Sequence, residues 1–486
     1  MNIAVLLDID KKCKAPLLLA LPLLALLLTN GLADDELDEI RAANLEKNAA
    51  WFSQMQAIAE TNTHWHTLPR ILIDTTEPAI IFQAEATGLS AREIVEFFLI
   101  GERSGNAYEA TAVALAQPGD IATAIEMLGL PKGLHPDPAA LRFWPQGERV
   151  HLYLNEHHAA DLMLDQRTGQ PAPRTGFVFT SSHTTKRDGK EQLSAQVERP
   201  FSIAANYNEP RSILDVPFRA PQAAVYSHQV QNPEIRFAPG ELLTVRIVPE
   251  RTDGSKRVQT MQLTVSHASP SSAPPAADLR FHLTQTNEPT QQPLLDNAPV
   301  ERLLMTIHDI VEANQDPFVE IHYQAELPLL HAHSMARLVE AMEDNHGLRV
   351  LPPPPGTLFY RAFNPNEEQR NRAERFAHPW ELHLSPASDT PPQLIQITEE
   401  WTQGKARPDI TIEEIAVTKP EQLSKIMTDR RPGMNAVFIY APREMRIGAI
   451  MDLVRHFQKT HPLIHVFMTP PLHDQTFGAT PAATSE

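Results

Sequence analysis

The sequence predicts a multidomain α+β protein: a β-rich N-terminal domain, then two small two-layer α/β modules in tandem. Three observations predict it. Met335, Leu338, Val339 and Met342 recur at helical spacing, and Ile450, Leu453, Val454 and Phe457 repeat the pattern. Each set lies between two short apolar runs, residues 318–323 and 348–351 in one copy, 436–440 and 464–468 in the other. Consecutive prolines come after each copy, at 352–355 and 470–471, so one strand–helix–strand unit is used twice.

The chain has 486 residues, enough for about three domains at 100–200 residues each. A hydrophobic fraction of 42% and a charged fraction of 21% suit packed cores. The net charge of -18 repels phosphates, which argues against nucleic acid or an anionic membrane as the main partner. Forty-three prolines against 19 glycines imply stiff connections.

Lys11, Lys12 and Lys14 precede a leucine-rich run over residues 15–28, and Gly31-Leu32-Ala33 offers small residues for cleavage. The run is short for a bilayer span and suits the apolar region of a signal peptide. Residues 1–33 are therefore expected to send the chain to the periplasm or outside the cell, with no membrane span after cleavage; retention as an anchor is the alternative. The only cysteine, Cys13, lies before that run. A mature chain without cysteine has no disulfides, iron–sulfur clusters, thiolate zinc or thiol chemistry.

Residues 34–66 read as an amphipathic helix, with Leu37, Ile40, Trp51, Phe52, Met55 and Ile58 apolar. Residues 67–266 form the β-rich domain. Its strands are the short apolar runs 71–73, 79–82, 150–154, 177–180, 202–205 and 243–247, separated by Gly, Pro, Asn or Asp. One helix interrupts them: Pro118-Gly119-Asp120 leads into Ile121, Ala124, Ile125 and Leu128, and Gly129 stops it. Asp120 stands where a carboxylate complements free amides and the helix dipole. Residues 267–278, rich in Ser, Pro and Ala, are a linker.

Module one spans 279–355, with a strand at 279–283 and a helix opened by Asn297-Ala298-Pro299. Module two spans 356–475, with a strand at 380–384 and a capping box over residues 418–421. Each module thus reads β–α–β–α–β. The small polar tail, 476–486, is expected to be disordered.

Candidate binding residues come from polar loops. Ser181 and Ser182 lie in a hydroxyl-rich run over residues 180–185, with Asp188 just beyond it. Such a loop binds an oxyanion or a sugar, or simply connects a hairpin. Asn206, Asn208 and Glu209 form a second polar loop. His64 and His66 share a strand face, and His331, His333 and His346 flank a helix, yet no HExxH accompanies them. There is also no GxSxG elbow, phosphate-cradling GxxxxGK[ST] or GxGxxG. No catalytic residue, metal or cofactor is assigned.

Several motifs in order resemble the YdjY-type domain of bacterial envelope proteins over residues 68–249. They are Arg103-Ser104-Gly105, residues 116–121, residues 127–133, residues 176–182 and residues 203–210. The resemblance implies an exported accessory domain; the iron–sulfur role ascribed to some relatives has no cysteines here. Residues 436–441 and 446–453 resemble the periplasmic domain of the ExbD/TolR family, as do residues 319–323 and 335–342. That resemblance implies a small fold with a scaffold-binding or dimerising habit. The expected function is an exported, non-enzymatic binding or assembly accessory of the envelope, with an ExbB/ExbD-like system as its implied setting. Its expected partners are envelope proteins and a second copy of the chain. The alternative is a hydrolase or binder of an envelope polymer using residues 181–188.

Overall fold

A computed structural model describes residues 20–220, 228–253, 255–268, 275–286, 292–363, 379–385, 391–400, 409–431 and 435–468; the expected tail and residues 1–19 lie outside them. The fold is mixed α+β and strand-rich. It divides into two compact units: residues 1–135 with 145–253, and residues 136–144 with 254–486.

The first unit opens with helix α1 (Ala20–Ala59). From residue 36 onward its buried positions are Asn44 and Asn48, whereas Leu37 and Ile58 are exposed. Polar contacts fasten this helix rather than the expected apolar stripe. Arg41 bridges Glu85 (2.6 Å) and Glu102 (2.7 Å), and the Asn44 amide donates to Glu85 and to the Gly240 carbonyl.

Strands β1 (Trp65–Leu68), β2 (Ile71–Asp74), β3 (Ala79–Ala86), β4 (Phe97–Gly101) and β5 (Ala110–Ala114) precede helix α2 (Pro118–Met127). Then come β6 (Arg149–Leu154), β7 (His157–His158), β8 (Met163–Asp165), β9 (Phe177–Phe179), β10 (Thr184–Arg187) and β11 (Lys190–Leu193). The last four are β12 (Ser202–Ala205), β13 (Leu214–Asp215), β14 (Gln229–Gln231) and β15 (Leu242–Pro249).

The main sheet runs β1-β2-β3-β15-β6-β9-β13-β12-β4-β5, and β5 also pairs with β3. From β3 round to β5 the pairings close into a ring as a barrel's do, and β1 and β2 continue the sheet from β3 outside it. Ile121, Ala124 and Ile125 of α2 join the core of Ile80, Phe82, Leu152, Leu154 and Val245. The Gly119 N–H donates to Gln196 Oε1 (2.7 Å), so Gln196, not Asp120, serves the start of α2. Burial pushes the Asp120 carboxyl up instead.

The second unit holds two sheets of identical strand order. The first contains β16 (Val258–His267), β17 (Leu279–Gln285), β18 (Leu295–Ala298), β19 (Asp316–Tyr323) and β20 (Arg349–Val350), with helices α3 (Val300–Glu312) and α4 (Leu329–Asn345). The second contains β21 (Trp380–His383), β22 (Gln393–Glu400), β23 (Asp409–Ile415), β24 (Val437–Tyr440) and β25 (Ile464–Phe467), with α5 (Leu423–Arg430) and α6 (Ile447–Val454). The orders are β18-β17-β16-β19-β20 and β23-β22-β21-β24-β25.

Three expectations change here. The sequence pattern puts residues 258–266 in the N-terminal domain, but β16 pairs antiparallel with β17 and parallel with β19. Residues 267–278 therefore join neighbouring strands of one sheet, and each copy reads β-β-β-α-β-α-β. The strand at 380–384 matches β16, not 279–283, because β21 is the strand that pairs parallel with β24. The capping box does not form: the Thr418 hydroxyl bonds the Gln422 side chain, and Pro420–Gln422 is a separate 3-10 turn before α5.

The two copies share one core, with Val339 and Met342 of α4 and Ile450 and Val454 of α6 in it. They also meet through backbone. Leu329 N–H donates to Met445 O and Ile447 N–H to Leu327 O (both 2.8 Å); Leu330 N–H donates to Arg443 O (3.0 Å) and Gly448 N–H to Ala325 O (2.8 Å). These pairs interchange under one constant offset in residue number, the signature of a two-fold relation between the copies. Segment 136–144 packs in the same unit: Trp144 Nε1 donates to the buried Glu343 carboxylate (2.9 Å), which Arg361 (2.8 Å) and the Tyr360 hydroxyl also contact.

Candidate functional site

The fold gives the sequence-predicted residues different places and different duties: β9, which leads to Ser181, runs antiparallel to β13, whereas β12, which leads to Asn206, runs parallel to it. Ser181 and Ser182 have φ +65° and +56°, two left-handed residues in succession. Neighbouring backbone holds them there: the N–H groups of Thr180 and Ser181 both donate to Ile213 O (3.0 Å), and His183 N–H donates to Pro210 O (3.0 Å). Their hydroxyls turn inward. Ser182 Oγ accepts from Ala195 N–H (3.4 Å), and Ser181 Oγ is buried without a partner among the described residues. Asp188 lies elsewhere. It and Gly189, at φ +53° and +75°, form the two-residue turn of the β10–β11 hairpin, the geometry that Asp-Gly favours.

Asn208 is a fastener. Its amide N–H groups reach Asp215 Oδ1 (2.9 Å), Phe218 O (3.0 Å) and Val216 O (3.3 Å), and its carbonyl accepts from Ala220 N–H (2.6 Å). Burial holds the Asp215 carboxyl well above the usual carboxylate range, and the Glu209 charge adds to the effect against the Asn208 bond. Glu209 in turn receives a bidentate Arg211 (2.7 and 3.1 Å) and the Tyr207 hydroxyl (3.0 Å). The loop over residues 206–211 is thus a bonded knot that fixes β12 against β13.

Asn206 differs, because it lines a pocket. The enclosure has about 30 Å³ of free interior and is bounded by Phe98, Phe177, Phe218, His158, Asn206 and Gln229, among others. Phe98 and Phe177 meet edge to face at 5.2 Å. Asn206 Nδ2 donates to Val95 O (2.5 Å) and Gln229 Oε1 (3.2 Å). The carbonyl of Val95 accepts only, so the amide orientation is fixed and Oδ1 is left buried without a partner among the described residues. His158 Nδ1 accepts from Ala160 N–H (3.1 Å), so the neutral ring carries its proton on Nε2, which faces His151 Nδ1 (3.1 Å). Burial, with His151 beside it, lowers its pKa to about 4.

Sequence reasoning missed His158 and Gln229. His158 sits in a two-residue strand and Gln229 opens a three-residue one, so no spacing linked either to residue 206. A wider groove of about 430 Å³ runs past Arg41, Glu85, Glu93 and Tyr108, with Arg41 already engaged by Glu85 and Glu102.

The predicted histidines do not converge. His333 Nε2 lies 3.0 Å from Val466 O and donates to it, while His331 lies by His267 (5.3 Å between rings) and Asp278 (3.9 Å). Among the described residues no group of three His, Cys, Asp or Glu is arranged to hold a metal, and no helix is long and apolar enough to cross a membrane. No family model, curated protein or solved structure matches this chain.

Proposed function

We propose that this chain is an exported envelope protein that works by binding and assembly rather than catalysis, with the paired copies of its second unit as the docking element. One observation carries the reading: the reciprocal backbone bonds between residues 325–330 and 443–448, over a core shared by both copies. Two like modules held rigidly by one chain form a preorganised surface, and preorganisation favours docking because little ordering is left to do on contact. The resemblances to YdjY-type and ExbD/TolR-type envelope domains support the same role. So does the export-like segment over residues 11–33. The partner is an envelope protein, and the pairing that relatives would make between chains is made here within one.

The test is co-purification of the tagged full-length chain from its native envelope after mild cross-linking, with mass spectrometry of the proteins recovered with it. One chain bound to a stoichiometric envelope protein is the expected result. Background-level recovery, with a free chain on sizing, would sink the proposal. Amino-terminal sequencing of the recovered chain checks the export step, with cleavage near Ala33 expected.

A further inference from the structure

We infer that the groove of about 430 Å³ in the first unit, between α1, the end of β3 and the residues leading into β5, binds a small organic cation, an ammonium group on an apolar body. The argument is independent of the docking role proposed above. A volume of that size is typical of clefts that hold small molecules.

The apolar wall comes from Leu37, Leu89, Tyr108 and Val113. Leu37 keeps 44% of its surface exposed and Tyr108 72%, so both offer apolar surface to a ligand. The tyrosine ring adds a second attraction, because the negative charge over its π face favours a cation.

Charge selects further. Asp38, Glu85 and Glu93 line the groove, against a single basic residue, Arg41. The Arg41 guanidinium is already divided between Glu85 (2.6 Å) and Glu102 (2.7 Å), and Glu102 brings one more carboxylate to the neighbourhood. Two of the lining carboxylates are held in place: Glu85 also accepts from the Asn44 amide (3.0 Å), and Glu93 accepts from Ser90 N–H (2.6 Å). The groove thus carries a fixed surplus of negative charge beside an apolar wall, which concentrates cations and repels anions. An anion would also find the one guanidinium occupied.

Benzylammonium, benzyl alcohol and benzoate share one ring and differ in charge, so they are the probes. The full-length chain, labelled at its leucine and valine methyl groups, is titrated with each at pH 7 and low salt while NMR follows Leu37, Leu89 and Val113. Benzylammonium is expected to shift these methyls and to bind roughly tenfold more tightly than benzyl alcohol, as several carboxylates acting across a partly wet groove would cause. Benzoate should leave them unmoved. Raising the salt from about 0.01 M to about 1 M shortens the screening length roughly tenfold and should remove most of that preference. Tyr108→Ala should weaken benzylammonium binding roughly two- to fivefold, and Asp38→Asn roughly threefold. Both residues are exposed, so the variants should keep the fold. Equal binding of the three probes, a benzylammonium affinity indifferent to salt, silence at the groove methyls, or an affinity unmoved by both substitutions would each overturn the inference.

Discussion

Pro328 and Arg446 face each other across an antiparallel bridge, flanked by Leu329 N–H to Met445 O and Ile447 N–H to Leu327 O, both 2.8 Å. Each residue directly precedes the second helix of its own copy, α4 or α6. The same joint of the repeated unit thus meets its own counterpart, as it would across the interface of a symmetric dimer.

Gly448 allows the close approach at that joint. A Cβ there would lie 2.8 Å from Ala325 Cβ and 3.0 Å from its carbonyl oxygen. Gly448→Ala should destabilise the second unit by about 1–3 kcal/mol through overpacking, although alanine is the better helix former. Urea unfolding monitored through the second unit measures this, and an unchanged midpoint would mean that the joint is not tightly packed.

Glu343 tests the anchoring of segment 136–144. Its side chain is 1% exposed and takes donors from Trp144, Arg361 and Tyr360. Trp144→Phe removes one donor and keeps most of the ring, so a loss of about 1–3 kcal/mol is expected. Trp144→Ala also empties the space beside Arg349, whose guanidinium lies 5.7 Å from the indole, and should cost about 3–5 kcal/mol. Equal losses for the two variants would assign the whole effect to the hydrogen bond.

Acid should weaken the second unit. Burial lowers the pKa of His333 and of His465 to about 4, from 6.5 in an unfolded chain. Between those values the unfolded state binds more protons than the folded one, so stability falls as pH drops from 6.5 and levels off below 4. The slope approaches about 1.4 kcal/mol per pH unit for each histidine. Denaturation midpoints at pH 7, 5.5 and 4.5 measure it. His333→Gln, which keeps a donor for Val466 O, should flatten the slope; an unaltered slope would remove His333 from the account.

Asn208→Ala tests the fastening of the loop over residues 206–211. The variant leaves Asp215 and the carbonyls of Val216 and Phe218 short of a donor, for a loss of about 2–3 kcal/mol in the first unit. A variant of full stability would show that Asn208 is no fastener.

Periodicity alone located α3, α4, β19, β24 and α6, because their apolar faces repeat within a dozen residues. It failed on β16. Met261, Leu263 and Val265 alternate with polar residues as in any half-buried strand, and only pairing with β17 and β19 shows which sheet owns them. The serine- and proline-rich stretch after it looks like a boundary between domains but joins two neighbouring strands. In α1 the apolar stripe was legible, yet the polar Asn44 is buried, because Glu85 and Gly240, far along the chain, supply its partners.

The site divides the same way. Composition and spacing drew attention to residues 181–182, 188 and 206–208, since hydroxyls and amides cluster there. Only the fold shows that Asp188 caps a hairpin, that Asn208 ties down Asp215, and that Asn206 meets Gln229 and a pocket.

By itself the sequence determined the mixed α+β class, the duplication and the absence of thiol chemistry after Cys13, because each depends on residue type or short-range period. Tertiary structure decided the closed ring of the first unit, the joint at Pro328 and Arg446 and the meeting of Asn206 with Gln229. Each of these depends on backbone or side-chain atoms brought together from distant parts of the chain, and hydrogen bonding is a matter of distance in space that no local pattern encodes.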